Sequence, residues 1–233
     1  MKRLKRLLLA GLLVTALSYA VMPLLSGGEK EKPIIHTENQ QLQLEKKLYS
    51  KNYILIRQRD GKVLLHQNEE DEIAPASLTK LMSVYTALQH IENLQETVQV
   101  PASIFPKLER EQASMAGFIG NEEVTYEDLI YGALLPSGAD ACMTLAITLY
   151  GSEDAFVAEM NVQAQRLGLK NTRFHNCTGL DEEGHVSSVS DIATLLKAAL
   201  QLPQFTEAFH APYYSMAPSN KHSEGMTIYS TMR

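Results

Sequence analysis

The sequence predicts an α+β fold, on three observations. Two short β-type runs, Tyr53-Ile54-Leu55-Ile56 and Val63-Leu64-Leu65-His66, flank Asp60-Gly61, a strong hairpin signal. An apolar run with helical period then begins at Ala76-Ser77-Leu78-Thr79-Lys80. Beyond it, start signals and breakers are spaced for four further helices, so that a hairpin and a helix lead into a mostly helical middle.

The chain of 233 residues is long enough for one sizeable domain with its own core. A hydrophobic content of 45 % and a charged content of 21 % fit an ordinary folded protein rather than a disordered one. Met1-Lys2-Arg3-Leu4-Lys5-Arg6 is basic, Leu7 to Leu25 is free of charge, and Ser18-Tyr19-Ala20 has the small-x-small form of a cleavage site. Residues 1–25 thus read as a secretory signal or, if uncleaved, as a membrane anchor. Both routes place the protein outside the cytoplasm, secreted or held on the outer face of the cytoplasmic membrane. Residues 26–48 are polar and charged and read as a tether, with part of Gln40–Leu48 expected to be helical. Residues 49–233 form the domain.

Charge excludes some functions. The chain carries 21 basic and 27 acidic residues, a net of −6. Four of the basic residues lie in 1–25, which leaves 17 against 27 and a net of −10 for the rest. No basic stripe survives, so no nucleic acid is expected as a partner. Cys142 and Cys177 form no disulfide framework and no Cys-x-x-Cys. The seven histidines show no ligand spacing, so neither a metal nor another cofactor is expected.

Within the domain, Leu78, Leu81, Met82, Tyr85 and Leu88 follow i, i+3, i+4, i+7 spacing. Ser77 and Lys80, three apart, project to the same side of such a helix. A lysine set among Leu, Met, Val and Tyr is desolvated, which lowers its pKa. The neutral amine can then take the proton of a nearby serine hydroxyl. Taken alone, the four-residue pattern favours Ser77 as a helix cap and Lys80 as a solvated residue of the first turn. Thr97–Val100 suggests a short strand and Pro101–Arg110 a helical turn. Thr125-Tyr126-Glu127-Asp128 resembles a capping box opening a helix to Leu134 or Leu135. Pro136-Ser137-Gly138 breaks the chain before an apolar helix from Asp140 to Tyr150. Glu153–Leu167, ended by Gly168, and Val189–Leu202 are the remaining helices. Cys142 reads as a small buried helix residue. Asn176 and Gly179 read as turn formers, and Ser188 with Asp191 as a cap and its first-turn acid.

The two serine-bearing segments lie sixty residues apart, an order shared by acyl-transferases that use Ser-x-x-Lys, then Ser-x-Asn, then Lys-Thr-Gly. Five blocks in sequence carry a fuller resemblance: Ala74 to Met82, Leu134 to Cys142, Leu167 to Phe174, Thr178 to Asp181, and His185 to Asp191. From about Asn52 to Arg233 the chain resembles the low-molecular-weight penicillin-binding D-alanyl-D-alanine carboxypeptidases. The resemblance implies a β-lactamase/transpeptidase-like fold, with an antiparallel sheet flanked by helices and a mostly helical subdomain. It implies Ser77 as acylated nucleophile, Lys80 as general base and Ser137 as proton relay. The substrate would be a peptidoglycan stem peptide ending in D-Ala-D-Ala, and β-lactams would acylate the same serine. Two departures stand out. Ala139 occupies the usual Asn position of the substrate-binding motif, and no Lys-Thr-Gly occurs. In the family that third motif lies on a strand downstream of where Arg233 falls. The expectation is therefore a catalytic domain with its C-terminal strands missing and its activity impaired. A non-catalytic relative that binds cell-wall peptide is the alternative. A class A β-lactamase is disfavoured, because no Glu-x-x-x-Asn segment follows Ser137 at a suitable place. His185, Ser188 and Asp191 are not read as a triad, since Lys80 already supplies a base.

Overall fold

The computed structural model describes residues 48–231, together with the backbone of two strands at 35–38 and 41–44. The expected signal or anchor at 1–25 lies outside the described residues, as does much of the tether. Among the described residues, no helix is long and apolar enough to cross a membrane. The chain divides into two units, residues 1–48 and 49–233. In the first unit, β1 (Ile35–Glu38) pairs antiparallel with β2 (Gln41–Leu44), Ile35 opposite Leu44 and Glu38 opposite Gln41. The helix expected within Gln40–Leu48 is thus replaced by a strand over Gln41–Leu44. The sequence Gln-Leu-Gln-Leu alternates with period two, which suits a strand and not a helix.

In the second unit, β3 (Tyr53–Arg57) and β4 (Lys62–Gln67) form the hairpin signalled by Asp60-Gly61. Gly61 takes φ +69° and donates its N–H to Arg57 O at 2.9 Å, which closes the turn. A 3-10 turn over Ala76–Leu78 leads into α1 (Thr79–Leu88). Leu78 belongs to that turn and is exposed, so the buried stripe of α1 begins at Leu81 and not at Leu78. Next come β5 (Thr97–Gln99), α2 (Phe105–Arg110), β6 (Glu123–Thr125) and α3 (Tyr126–Leu134). The capping box is real: Thr125 Oγ1 accepts from Asp128 N, and the Asp128 carboxylate accepts from Thr125 N. The remaining helices are α4 (Ala139–Tyr150), α5 (Glu153–Arg166), α6 (Val189–Ala199) and α7 (Pro203–His210). α6 ends three residues before the expected Leu202. Pro203 disfavours helical backbone at Leu202, which is extended (φ −88°, ψ 116°), and the proline opens α7 instead. A second hairpin, β7 (Tyr213–Met216) and β8 (Met226–Tyr229), follows.

α1 is the hub, packing against α3, α4, α5, α6 and α7. Met82 and Val84 on α1 are fully buried, as are Leu129, Leu145, Phe156, Met160, Leu195 and Phe205 on the surrounding helices. Burying each such side chain contributes about 1.5–3 kcal/mol. The described strands form four separate two-stranded antiparallel ladders, and β7–β8 pairs only with itself. Its connecting loop is pinned by Glu122, a fully buried carboxylate that accepts from Ser219 Oγ (2.6 Å) and faces His222 Nδ1 (2.7 Å). Lys221-His222-Ser223, which lacks the Thr and Gly of the third motif, lies in this loop.

Candidate active site

Lys80 sits in the first turn of α1 and is 4 % exposed, whereas Ser77, one turn earlier, faces solvent. Lys80 Nζ lies 3.4 Å from Ser77 Oγ. The lysine therefore reaches up from the core to a serine at the surface. Burial lowers its pKa below the usual 10.5, opposed by nearby Asp140, Cys142 and Cys177. The thiols carry no charge to oppose it with: burial pushes Cys142 up to about 12 and Cys177 well above its ordinary value. Asp140 is the one formal anion of the three. Its carboxylate is already held by the backbone N–H groups of Ala116, Gly117, Phe118 and Ala141. Burial raises the Asp140 pKa, and those four donors pull it back. Desolvation wins at Lys80, and a neutral amine is accessible at the serine.

The Ser77 turn is clamped from outside by the segment 173–187. Ile73 and Ser187 exchange backbone hydrogen bonds of 2.7 and 2.9 Å. Ser83 Oγ on α1 donates to Cys177 O at 2.7 Å. His185 Nδ1 accepts the His175 N–H at 3.0 Å, so the ring proton sits on Nε2 and is donated to Thr79 Oγ1 at 2.8 Å. Burial, and then His175, lower the His185 pKa and hold the ring neutral. Asn176 shapes the loop: its Oδ1 accepts from Thr178 N and Gly179 N, and its Nδ2 donates to Leu180 O. Gly179 has φ +80°, and a Cβ there would come within 2.0 Å of Ala76 O. Only glycine fits that approach. Ala76 itself takes φ +46°, an uncommon backbone for a residue with a Cβ.

Ser137 lies between α3 and α4 at φ +65°. Its Oγ is buried and has no hydrogen-bond partner, an arrangement that a structural hydroxyl avoids. A strap of residues 114–118 holds this turn. Ser114 Oγ donates to Ser137 O, Ala139 N donates to Ser114 O at 2.7 Å, and Asp140 takes the strap's three N–H groups. Ala139 is 1 % exposed and its side chain is a methyl, so it offers no polar side-chain group for a ligand. Cys142 and Cys177 are buried free thiols. Ser188 caps α6 by accepting Asp191 N. Asp191 also accepts from Asn171 N and Thr172 Oγ1 at 2.7 Å each, so neither residue faces a catalytic histidine. Among the described residues, no group of acidic, His or Cys side chains could hold a metal ion.

The clamp residues Thr79 and His185, the strap residue Ser114 and the anchor Asp140 escaped the sequence reading as parts of the site. Asp140 alone left a signal, an acid at the start of an otherwise apolar helix.

Comparison with known proteins fits this geometry. Residues 37–228 match the family described as Peptidase_S11, D-alanyl-D-alanine carboxypeptidase. D-alanyl-D-alanine carboxypeptidase DacF of Bacillus subtilis is 37 % identical over 162 residues, 68 % of this chain and 41 % of its own length. DacA of Escherichia coli K12 is 38 % identical over 160 residues, 65 % of this chain and 39 % of its own. The chain thus spans about two fifths of the curated relatives it matches. An alanine variant of the Streptomyces K15 DD-transpeptidase superposes with a TM-score of 0.76 at 26 % identity, covering 81 % of this chain and 76 % of that one. Penicillin binding protein 6B of Escherichia coli superposes with a TM-score of 0.66 at 31 % identity, covering 74 % and 54 % respectively.

Proposed function

The chain belongs to the D-alanyl-D-alanine carboxypeptidase family, and on that premise we propose that it is a serine-type D,D-carboxypeptidase acting on peptidoglycan stem peptides. The observation that carries this is a buried lysine, depressed in pKa, within 3.4 Å of an exposed serine. Ser77 Oγ attacks the carbonyl carbon of the penultimate D-Ala while Lys80 Nζ takes its proton. The Ser77 N–H supplies half of the oxyanion hole for the charge that develops on the carbonyl oxygen. The C–N bond breaks, and the departing D-Ala amine receives a proton from Lys80 through Ser137. Water then attacks the Ser77 ester as Lys80 takes its proton, and Lys80 returns that proton to Ser77 Oγ as the ester C–O bond breaks. β-Lactams present a comparable carbonyl and acylate the same oxygen. The reaction takes place outside the cytoplasm, where stem peptides lie, with residues 1–25 directing export or anchoring the chain to the membrane.

The test is release of D-Ala from an N-acylated Lys-D-Ala-D-Ala tripeptide by the full chain, with Ser77→Ala as control. Release by the parent and none by the variant supports the reading. Because the expected activity is impaired, it is the absence of both D-Ala release and a penicillin adduct on Ser77 that removes it. Ala139 favours one other reading: with a methyl where an amide orients substrate, the chain binds cell-wall peptide without turning it over. Saturable binding of the tripeptide with neither D-Ala release nor a penicillin adduct selects that reading.

A further inference from the structure

We propose that His185 is a positioning residue for the nucleophile: as a neutral imidazole it ties the 173–180 segment to Thr79 and so sets how Gly179 meets the Ala76–Ser77 turn. The inference rests on the acyl-transfer reading for its kinetic readout alone. The ring is 4 % exposed and lies edge-on to Phe174, with centroids 5.8 Å apart. It makes two bonds of opposite sense, accepting from His175 N at Nδ1 and donating to Thr79 Oγ1 at Nε2. Thr79 stands between Ser77 and Lys80 in the chain, so the second bond fixes the α1 turn that carries both. The first bond fixes the loop that brings Gly179 against Ala76 O, an approach with no room for even a methyl group. Serine position is thereby coupled to one proton. Protonated His185 carries N–H at both nitrogens, so Nδ1 turns a donor toward the His175 N–H and that bond is lost. The charged groups facing the ring are His175, which disfavours protonation, and Glu182 and Asp181, which favour it.

The two half-clamps can be removed separately in the full chain. Thr79→Val deletes the hydroxyl at nearly constant shape, and Thr79→Ser keeps it. His185→Asn keeps an acceptor near Nδ1 and loses the reach to Thr79. Nitrogen-15 NMR of the ring is expected to find the Nε2–H tautomer. Amide exchange at Leu78, bonded to Pro75 O, and at Gly179, bonded to Asn176 Oδ1, is expected to be about tenfold faster in Thr79→Val and His185→Asn, and unchanged in Thr79→Ser. Acylation by a fluorescent penicillin should follow the same order, slowing about tenfold in the two disruptive variants. In the parent chain, but not in Thr79→Val, it should also show a drop below about pH 6.5 that follows the titration of the His185 ring. An Nδ1–H tautomer, parent-like exchange in Thr79→Val, or faster exchange with unchanged acylation overturns the proposal. If the parent chain takes up no penicillin at all, the acyl-transfer reading falls, and the exchange order still decides whether the clamp exists.

Discussion

The turns that carry Ser77 and Ser137 solve one problem in opposite ways. Each presents a serine on backbone in or beside the left-handed region, Ala76 at φ +46° and Ser137 at φ +65°. The Ser77 turn is exposed, with its lysine beneath it, and is held by a backbone pair, Ile73 with Ser187, and by single side-chain bonds from α1 to His185 and Cys177. The Ser137 turn is half-buried and held by the 114–118 strap, with one carboxylate gathering four N–H groups. Strained backbone persists only where its surroundings over-determine it. At Ser137 the surroundings are a dense hydrogen-bond network, and at Ser77 they are packing against Gly179. The first turn is therefore built to react and the second to stay fixed, and substitutions should divide along that line.

The largest effect is expected at the reactive turn. Lys80→Met should slow acylation of Ser77 by penicillin about a thousandfold with little loss of fold, read as the second-order rate of adduct formation. In the parent chain, acylation should rise with pH as Lys80 loses its proton at a pKa below 10.5. Unfolded Lys80 binds its proton more tightly than folded Lys80, so stability should also rise with pH between the folded and unfolded pKa values. A pH-independent acylation rate would show that the lysine is not the base.

Loss of the network that holds the fixed turn should damage stability. Asp140→Ala leaves three strap N–H groups without their acceptor and should cost about 3 kcal/mol in urea unfolding. An unchanged midpoint would mean that the strap holds without its carboxylate. Gly179→Ala tests the other device. The new methyl must displace the Ala76 carbonyl at φ +80°, at a cost of about 2 kcal/mol, and acylation should fall with it. Smallest is Ser137→Ala. It removes a buried hydroxyl with no partner, so stability should hold within about 1 kcal/mol while acylation slows about tenfold. A large stability loss there would make Ser137 a structural residue.

What the sequence revealed was local. Asp60-Gly61 marked the β3–β4 turn, Thr125 and Asp128 marked the α3 cap, and the three-residue spacing brought Ser77 and Lys80 together. What it hid joins residues far apart in the chain. Asp140 binds a strap more than twenty residues upstream, and His185 reaches Thr79 across 106 positions. No periodicity encodes such pairs. α7 was missed because the apolar pattern of α6 runs on to Leu202, and Pro203 was not read as a new start. β7 and β8 carry no comparable mark, because the long loop 217–225 joins them and no tight Asp-Gly turn of the β3–β4 kind does.

The central claim is that Ser77, served by Lys80, is a working nucleophile. The intact mass of the full chain after benzylpenicillin treatment tests it most directly. The expected result is the parent mass plus one penicillin, with the adduct mapped to Ser77 and absent from Ser77→Ala. A chain that gains no mass, or gains it at another residue, contradicts the account.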